Sequence, residues 1–262
     1  MMKADYHVHT YYSDDSECPM EDMVKRAIAV GLDEIAFTEH VDYGVKTVLN
    51  CDYEAYFKEL EAMRSKYGEQ LTIKAGIEFG VQIHTIPLFE RVFEQYPFDF
   101  VILSNHQVDD KEFWNNQFQE GKTQEEYQNA YYEAIYEVVQ NYNAYSVLGH
   151  LDMIKRYDSF GDYPDEKILG IVEKILRKII ADGKGIEINT SCFKYGLKDL
   201  TPSRDILRLY YQLGGRVLTI GSDTHETTHL ADHFEEVKAI LREIGFRQFC
   251  TFEKMEPVWW EL

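Results

Sequence analysis

The chain has 262 residues, 45% hydrophobic and 14% aromatic, which suits one large folded unit with a substantial core. Its 27 basic and 46 acidic residues give a net charge of −19, a field that repels phosphate backbones and argues against broad nucleic-acid binding. No apolar run nears the roughly 20 residues of a membrane span, residues 1–5 hold no signal-peptide core, and four scattered cysteines form no C-x-x-C pair; a cytoplasmic protein with reduced thiols is expected.

Short apolar runs alternate with longer stretches at helical spacing. The first run, Ala4-Asp5-Tyr6-His7-Val8-His9, leads to a helical face of Met20, Met23, Val24, Ala27 and Ile28. Pro19 stands at the first turn of that helix and Gly31 at its end. After Ile35-Ala36-Phe37-Thr38-Glu39-His40, the next helix is predicted over 53–67, ending at Gly68. Ile73-Lys74-Ala75-Gly76-Ile77-Glu78 precedes a helix over 88–96, and the run from Phe100 to His106 precedes one over 124–142. Val147-Leu148-Gly149-His150 is followed by a helix over 165–182 and Glu187-Ile188-Asn189-Thr190 by one over 203–213, which Ser203 caps. Beyond the last run, Val217 to His225, a helical face of Phe234, Val237, Ile240, Leu241 and Ile244 ends the series.

About seven alternations without a linker tract predict one domain over 1–262, with parallel strands covered by helices. A doubly wound sheet and a closed barrel both fit this order. Functional side chains after nearly every strand favour an α/β fold of the distorted TIM-like barrel kind, with seven β/α units and the site at the C-terminal face of the strands. The long connections 42–52 and 108–123 are expected to form its rim.

Six of the nine histidines follow these runs, each beside a glycine, a small residue or a carboxylate. Neutral imidazole and carboxylate are the ligands that borderline metal ions choose, so a multinuclear metal site is the first hypothesis. His7 and His9, two apart on a strand, point to one face, and Asp223 and His225 repeat that spacing. Glu78 has no basic neighbour in sequence; bridging two cations would offset the cost of burying it. Taken singly, His106 and His150 read as core histidines. His84, His229 and His233 read as ordinary surface or capping residues.

The segments His7-Val8-His9-Thr10, Phe37-Thr38-Glu39-His40, Gly76-Ile77-Glu78, Ser104-Asn105-His106, Gly149-His150-Leu151-Asp152, Glu187-Ile188-Asn189-Thr190 and Gly221-Ser222-Asp223-Thr224-His225 stand in the order of the PHP (polymerase and histidinol phosphatase) family, which the chain resembles throughout. Tyr96-Pro97-Phe98-Asp99-Phe100-Val101, Gly149-His150-Leu151-Asp152 and Glu256-Pro257-Val258 resemble its stand-alone histidinol-phosphate phosphatase branch. The resemblance implies a distorted barrel of seven β/α units and three divalent metal ions (zinc, manganese and/or iron). It implies that His7, His9, Glu78 and Asp223 hold the first ion, that Glu78, His106 and His150 hold the second, and that Asp15, His40 and His225 hold the third. Position 15 is often histidine in related enzymes; here either Asp14 or Asp15 can serve, and an oxygen ligand favours a harder metal. Glu39, where aspartate is frequent, is expected to orient the ligand beside it.

The implied reaction is hydrolysis of L-histidinol phosphate to L-histidinol and phosphate, with a metal-bridging hydroxide attacking phosphorus. Glu78, Asp223 and Arg156 are its expected catalytic residues, Arg156 and Lys194 its phosphate clamp, and a small phosphate ester its partner. Asp42 and Tyr43 are rim candidates for the substrate's amine and imidazole. Another small phosphate ester and metal-dependent amide hydrolysis are the alternatives, with a non-enzymatic metal-binding protein third. There is no D-x-D pair, no arginine six residues after Cys192 and no Gly-rich phosphate loop, which excludes three other phosphate chemistries.

Overall fold

The computed structural model describes residues 2–44 and 50–262, so the part of the expected 42–52 rim that falls on residues 45–49 lies outside the described residues. In chain order the strands are β1 (Ala4–Val8), β2 (Glu34–Asp42), β3 (Thr72–Gly80), β4 (Phe100–Ser104), β5 (Gln107–Val108), β6 (Lys111–Glu112), β7 (Val147–Leu148), β8 (Gly185–Asn189), β9 (Leu218–Gly221), β10 (Gln248–Glu253) and β11 (Glu256–Glu261). The helices are α1 (Met20–Val30), α2 (Tyr53–Tyr67), α3 (Ile86–Gln95), α4 (Gln124–Asn141), α5 (Leu169–Ala181), α6 (Ser191–Lys194), α7 (Arg204–Gln212) and α8 (Phe234–Ile244).

Seven strands pair in parallel in the order β1-β2-β3-β4-β7-β8-β9, each beside its predecessor in the chain. Both faces of these strands are buried, which is why they read as near-continuous Val, Ile, Leu and Phe runs. The sheet curls until its two outer strands meet. Asp223 N donates to His7 O (2.8 Å) and His9 N to Thr224 O (2.9 Å), making a nearly closed seven-stranded barrel.

Local chemistry sets the helix ends. Gly31 takes φ 75° at the end of α1, where an L side chain would be strained. Asp52 accepts from Ala55 N to start α2, Thr123 and Glu126 form a reciprocal capping box on α4, and Ser203 accepts from Ile206 N to start α7. The helix predicted over 165–182 is interrupted: Asp165–Lys167 makes a 3₁₀ turn, and α5 begins only at Leu169. Ile168, buried between the two, takes φ −107°, and the α-helix starts beyond it.

The C-terminal hairpin, β10 with β11, was not foreseen in the sequence and closes the N-terminal end of the barrel. Met255 N donates to Asp99 O (2.8 Å), just before β4. Tyr6 donates its hydroxyl proton to the Glu34 carboxylate and accepts from Phe252 N (2.7 Å). The Tyr6 ring lies edge-on to Phe100 at 4.8 Å between centroids, and Phe100 packs on Phe252 at 5.1 Å. Among the described residues no helix is long and apolar enough to cross a membrane.

Tyr6→Phe leaves the buried Glu34 carboxylate and the Phe252 N–H without this hydroxyl. We expect a loss of about 1–3 kcal/mol of unfolding free energy, read from denaturant titration. An unchanged midpoint would show that the hairpin does not depend on Tyr6.

Candidate metal centre

Every strand of the barrel sends a polar side chain to its C-terminal end. β1 brings His7 and, just beyond it, His9; β2 brings His40 and Asp42; β3 brings Glu78. His106 follows β4, His150 follows β7, Glu187 and Asn189 end β8, and Asp223 and His225 follow β9. The pairing register is irregular between Asp5 and Val8, an extra residue in β1 that re-aims His7. Asp223 adopts φ 54°, a left-handed conformation that aspartate tolerates better than most residues.

Glu78 stands at the centre, completely buried. Its Oε2 faces His40 Nδ1 (2.8 Å), His7 Nε2 (3.2 Å) and His9 Nε2 (3.6 Å). Its Oε1 faces His150 Nε2 (2.9 Å) and His106 Nε2 (3.2 Å) and accepts from Ser104 Oγ (2.6 Å). One carboxylate thus presents each oxygen to a separate set of imidazoles. Asp223 Oδ1 completes the first set, 3.7 Å from His7 Nε2 and 3.6 Å from His9 Nε2. Asp15 Oδ1 lies 3.2 Å from His225 Nε2 and 3.6 Å from His40 Nε2, so of the two neighbouring aspartates Asp15 is the one that faces this pair.

A further ring of groups fixes the imidazoles. Glu187 holds His7 Nδ1 (2.5 Å), Asp42 holds His106 Nδ1 (3.0 Å), Ser13 holds His9 Nδ1 (3.1 Å) and the Asp223 carbonyl holds His225 Nδ1 (3.1 Å). With Nδ1 engaged, Nε2 points inward, the nitrogen that would serve as the metal ligand. Glu39 accepts from Ser13 Oγ (2.7 Å) and from Thr10, and Ser13 Oγ in turn meets His9 Nδ1 and accepts from His40 N (3.0 Å), so Glu39 braces both His9 and its own neighbour His40 through Ser13. Asp42, a sequence candidate for substrate contact, is spent on His106. The segment of Glu187 and Asn189 was singled out in the sequence but given no role, because their partners are 180 and 34 residues away; Ser13, four residues from His9, was not singled out.

The electrostatics follow from burial. Desolvation pushes the Glu78 and Asp223 carboxyls up, but His7 with His106 and His40 around the first, and His7 with Arg156 around the second, hold both well below the ordinary range. Burial pushes the imidazoles down. Carboxylates outweigh that at His7, chiefly Glu187 and Glu78, and raise it well above its usual value; Glu78 with Asp15 brings His40 to about 9, and Asp42 with Glu78 brings His106 to about 10. His9 is held well below its usual value by burial and by the like-charged rings stacked on it, His40 at 4.1 Å and His225 at 4.2 Å.

These residues suit divalent cations on a structural test. His7 Nε2, His9 Nε2, His40 Nδ1 and Glu78 Oε2 are buried and make no hydrogen bond, yet converge on one another. Such a cluster requires positive charge at its centre, as protons or as metal ions. Donor atoms of His7, His9 and Asp223, of His7, Glu78 and His150, of His9, His40 and His225, and of His40, Asp42 and His106 lie within 4.8 Å of one another in each group.

Arg156 reaches the same cleft, which Asp14, Glu112, Phe113, Trp114, Met153, Tyr157 and Tyr195 also line. Its Nη2 donates to Ser191 Oγ (2.5 Å), Asp223 Oδ2 (3.0 Å) and Asn189 Oδ1 (3.2 Å), and its guanidinium lies over Tyr195, 4.7 Å from the ring centre. Lys194 is exposed and is not among the cleft-lining residues; its ammonium sits 5.9 Å from the Tyr195 ring centre. His84, His229 and His233 stay at the surface, beside Asp110, Glu226 and Glu236.

Gly80, at the end of β3, is needed for close approach: a Cβ there would land on the Asp42 carboxylate and 2.8 Å from His106 Nδ1. Gly80→Ala should displace that pair and lower the stability of chelated protein by about 1–3 kcal/mol, measured by denaturant unfolding; an unchanged midpoint would refute the steric argument.

The PHP domain profile matches residues 5–191. The histidinol-phosphatase of Lactococcus lactis is 34% identical to this chain, covering 98% of it and 96% of the relative. A probable histidinol-phosphatase of Thermotoga maritima is 30% identical over 94% of each chain. The solved structure of the Lactococcus lactis histidinol phosphate phosphatase, complexed with zinc, L-histidinol and phosphate, superposes with a TM-score of 0.90 at 33% identity and covers 98% of both chains. The seven-stranded barrel, its polar strand ends and this full-length similarity lead to one conclusion: the chain belongs to the PHP domain family, in its histidinol-phosphatase branch.

Proposed function

We propose that the protein hydrolyses L-histidinol phosphate to L-histidinol and phosphate, using three divalent cations of the zinc, manganese or iron type. The observation that carries the chemistry is Glu78, whose two buried oxygens each face their own imidazoles. The substrate rests on the full-length relative that holds zinc, L-histidinol and phosphate.

In this reading His7, His9, Glu78 and Asp223 hold one cation, Glu78, His106 and His150 a second, and Asp15, His40 and His225 a third. Cations bound there supply acidified water near neutral pH and neutralise the phosphoryl oxygens. The chain's own groups do the rest. Glu187, Asp42 and Ser13 engage Nδ1 and keep Nε2 of His7, His106 and His9 aimed into the cleft, where a bound cation would take the place of a proton. Asp223, Asn189 and Ser191 pin the Arg156 guanidinium in the cleft wall, where its fixed charge would meet the phosphoryl oxygens. Lys194, farther out beside Tyr195, adds positive charge at the rim. Water oxygen bonds to phosphorus as the ester P–O bond breaks, and the histidinol oxygen leaves with a proton.

The test is phosphate release from histidinol phosphate against nucleotide and sugar monophosphates and an amide, on metal-analysed protein. We expect histidinol phosphate to exceed the other esters by at least about tenfold in kcat/KM. Chelation should abolish release, and zinc or manganese should restore it. A flat profile would sink the substrate and leave the phosphoesterase; full activity after complete chelation would sink the metal mechanism.

Arg156→Ala removes a fixed donor to the phosphoryl group. Its kcat/KM should fall about 100-fold. Steady-state kinetics unchanged from the parent would remove Arg156 from the clamp.

A further inference from the structure

The segment Gly149-His150-Leu151-Asp152 gives His150 to the histidine cluster, but its last residue has no part in that chemistry. Asp152 is completely buried. Among the described residues it neither lines the cleft nor joins a group of metal-type ligands. A carboxylate kept dry at such cost is to be read from what it holds.

One oxygen does the holding. Asp152 Oδ2 accepts from Lys155 Nζ (2.8 Å) and from the backbone N of Ser203 (3.1 Å). Lys155 Nζ also donates to Asp165 Oδ1 (2.8 Å). Lys155 lies three residues on, in the 3₁₀ helix Met153–Tyr157, where residues three apart eclipse. The next residue of that helix is Arg156, which reaches the cleft. A short 3₁₀ helix has poor hydrogen-bond geometry of its own, so side-chain ties decide where its residues point. The far end is tied as well: Asp158 accepts from Tyr127 Oη (2.5 Å) and from Gln128 Nε2 (2.8 Å).

The bond to Ser203 reaches the other side of the guanidinium. Ser203 opens α7, and two residues before it Thr201 O accepts from Asn189 N (2.7 Å). Asn189 Oδ1 in turn accepts from Arg156 Nη2 (3.2 Å). A single buried oxygen thus joins the helix that carries Arg156 to the strand end that receives it.

We infer that Asp152 is a positioning residue for Arg156, acting through Lys155 and Ser203 and touching neither substrate nor cations. This rests on the phosphate-clamp reading of Arg156 and adds to it the group that keeps the guanidinium in place.

The experiment is a double-mutant cycle on histidinol phosphate, with metal-analysed protein. Asp152→Asn keeps the shape and removes the charge that holds Lys155. In the wild-type background kcat/KM should fall about tenfold, mostly in kcat, with metal content unchanged. In the Arg156→Ala background the same substitution should change kcat/KM by less than about twofold. Equal losses in the two backgrounds, a loss that follows metal content, or an unmoved wild-type kcat/KM each overturn the assignment. Lys155→Met runs the same cycle from a partly exposed position, in case Asp152→Asn does not fold. It should cost about fivefold in wild type and less than about twofold beside Arg156→Ala; equal losses overturn the assignment here too. The two readings fail separately. Arg156→Ala with parental kinetics sinks the clamp, whereas an impaired Arg156→Ala to which Asp152→Asn adds its full loss sinks only Asp152.

Discussion

A buried carboxylate with both oxygens turned toward imidazole nitrogens is the constraint on which the structure depends. Glu78 is completely buried, and among the described residues its one donor besides the histidines is Ser104, with no lysine or arginine paired to it. Such a group persists only where positive charge is placed between it and its neighbours. That requirement organises the top of the barrel. It explains why His7, His9, His40, His106 and His150 come from four separate strand ends, since no single element can surround one carboxylate.

The barrel satisfies that demand by closing. β1 and β9 are the first and last strands of the sheet, and hydrogen bonds at His7, His9, Asp223 and Thr224, with Ser222 N donating to the Asp5 carboxylate, bring them together. Those residues are also where two of the metal-type ligand pairs sit, so closure and assembly of the site are one event. Buried carboxylates behind the imidazoles then set their orientation. Glu187 and Asp42 act directly on His7 and His106, and Glu39 acts on His9 through Ser13.

The two ends of the barrel solve opposite problems. The N-terminal end is sealed by the β10–β11 hairpin, with Tyr6, Phe100 and Phe252 packed across it and Glu34 satisfied by the Tyr6 hydroxyl. The C-terminal end stays open as a cleft that Arg156 lines together with the histidine cluster. A net charge of −19 would repel a phosphate ester at long range, so attraction has to be local, from Arg156 and from cations at the histidine cluster.

The order of elements was legible because apolar periodicity and end signals such as Gly31, Gly68 and Ser203 act within a few residues. The motif order likewise carried the family, since its histidines and acids stand at strand ends that the chain itself marks. The closing hairpin was not legible: its two-residue turn places Lys254 at φ 50° and Met255 at φ 70°, without the Asn-Gly pair that normally signals such a turn. Nor was the choice between Asp14 and Asp15, or the capture of Asp42 by His106. These depend on which side chains meet across strands far apart in the chain. Residue types and their periodicity determine what each strand end can offer, whereas only the closed barrel decides which partner each charge finds.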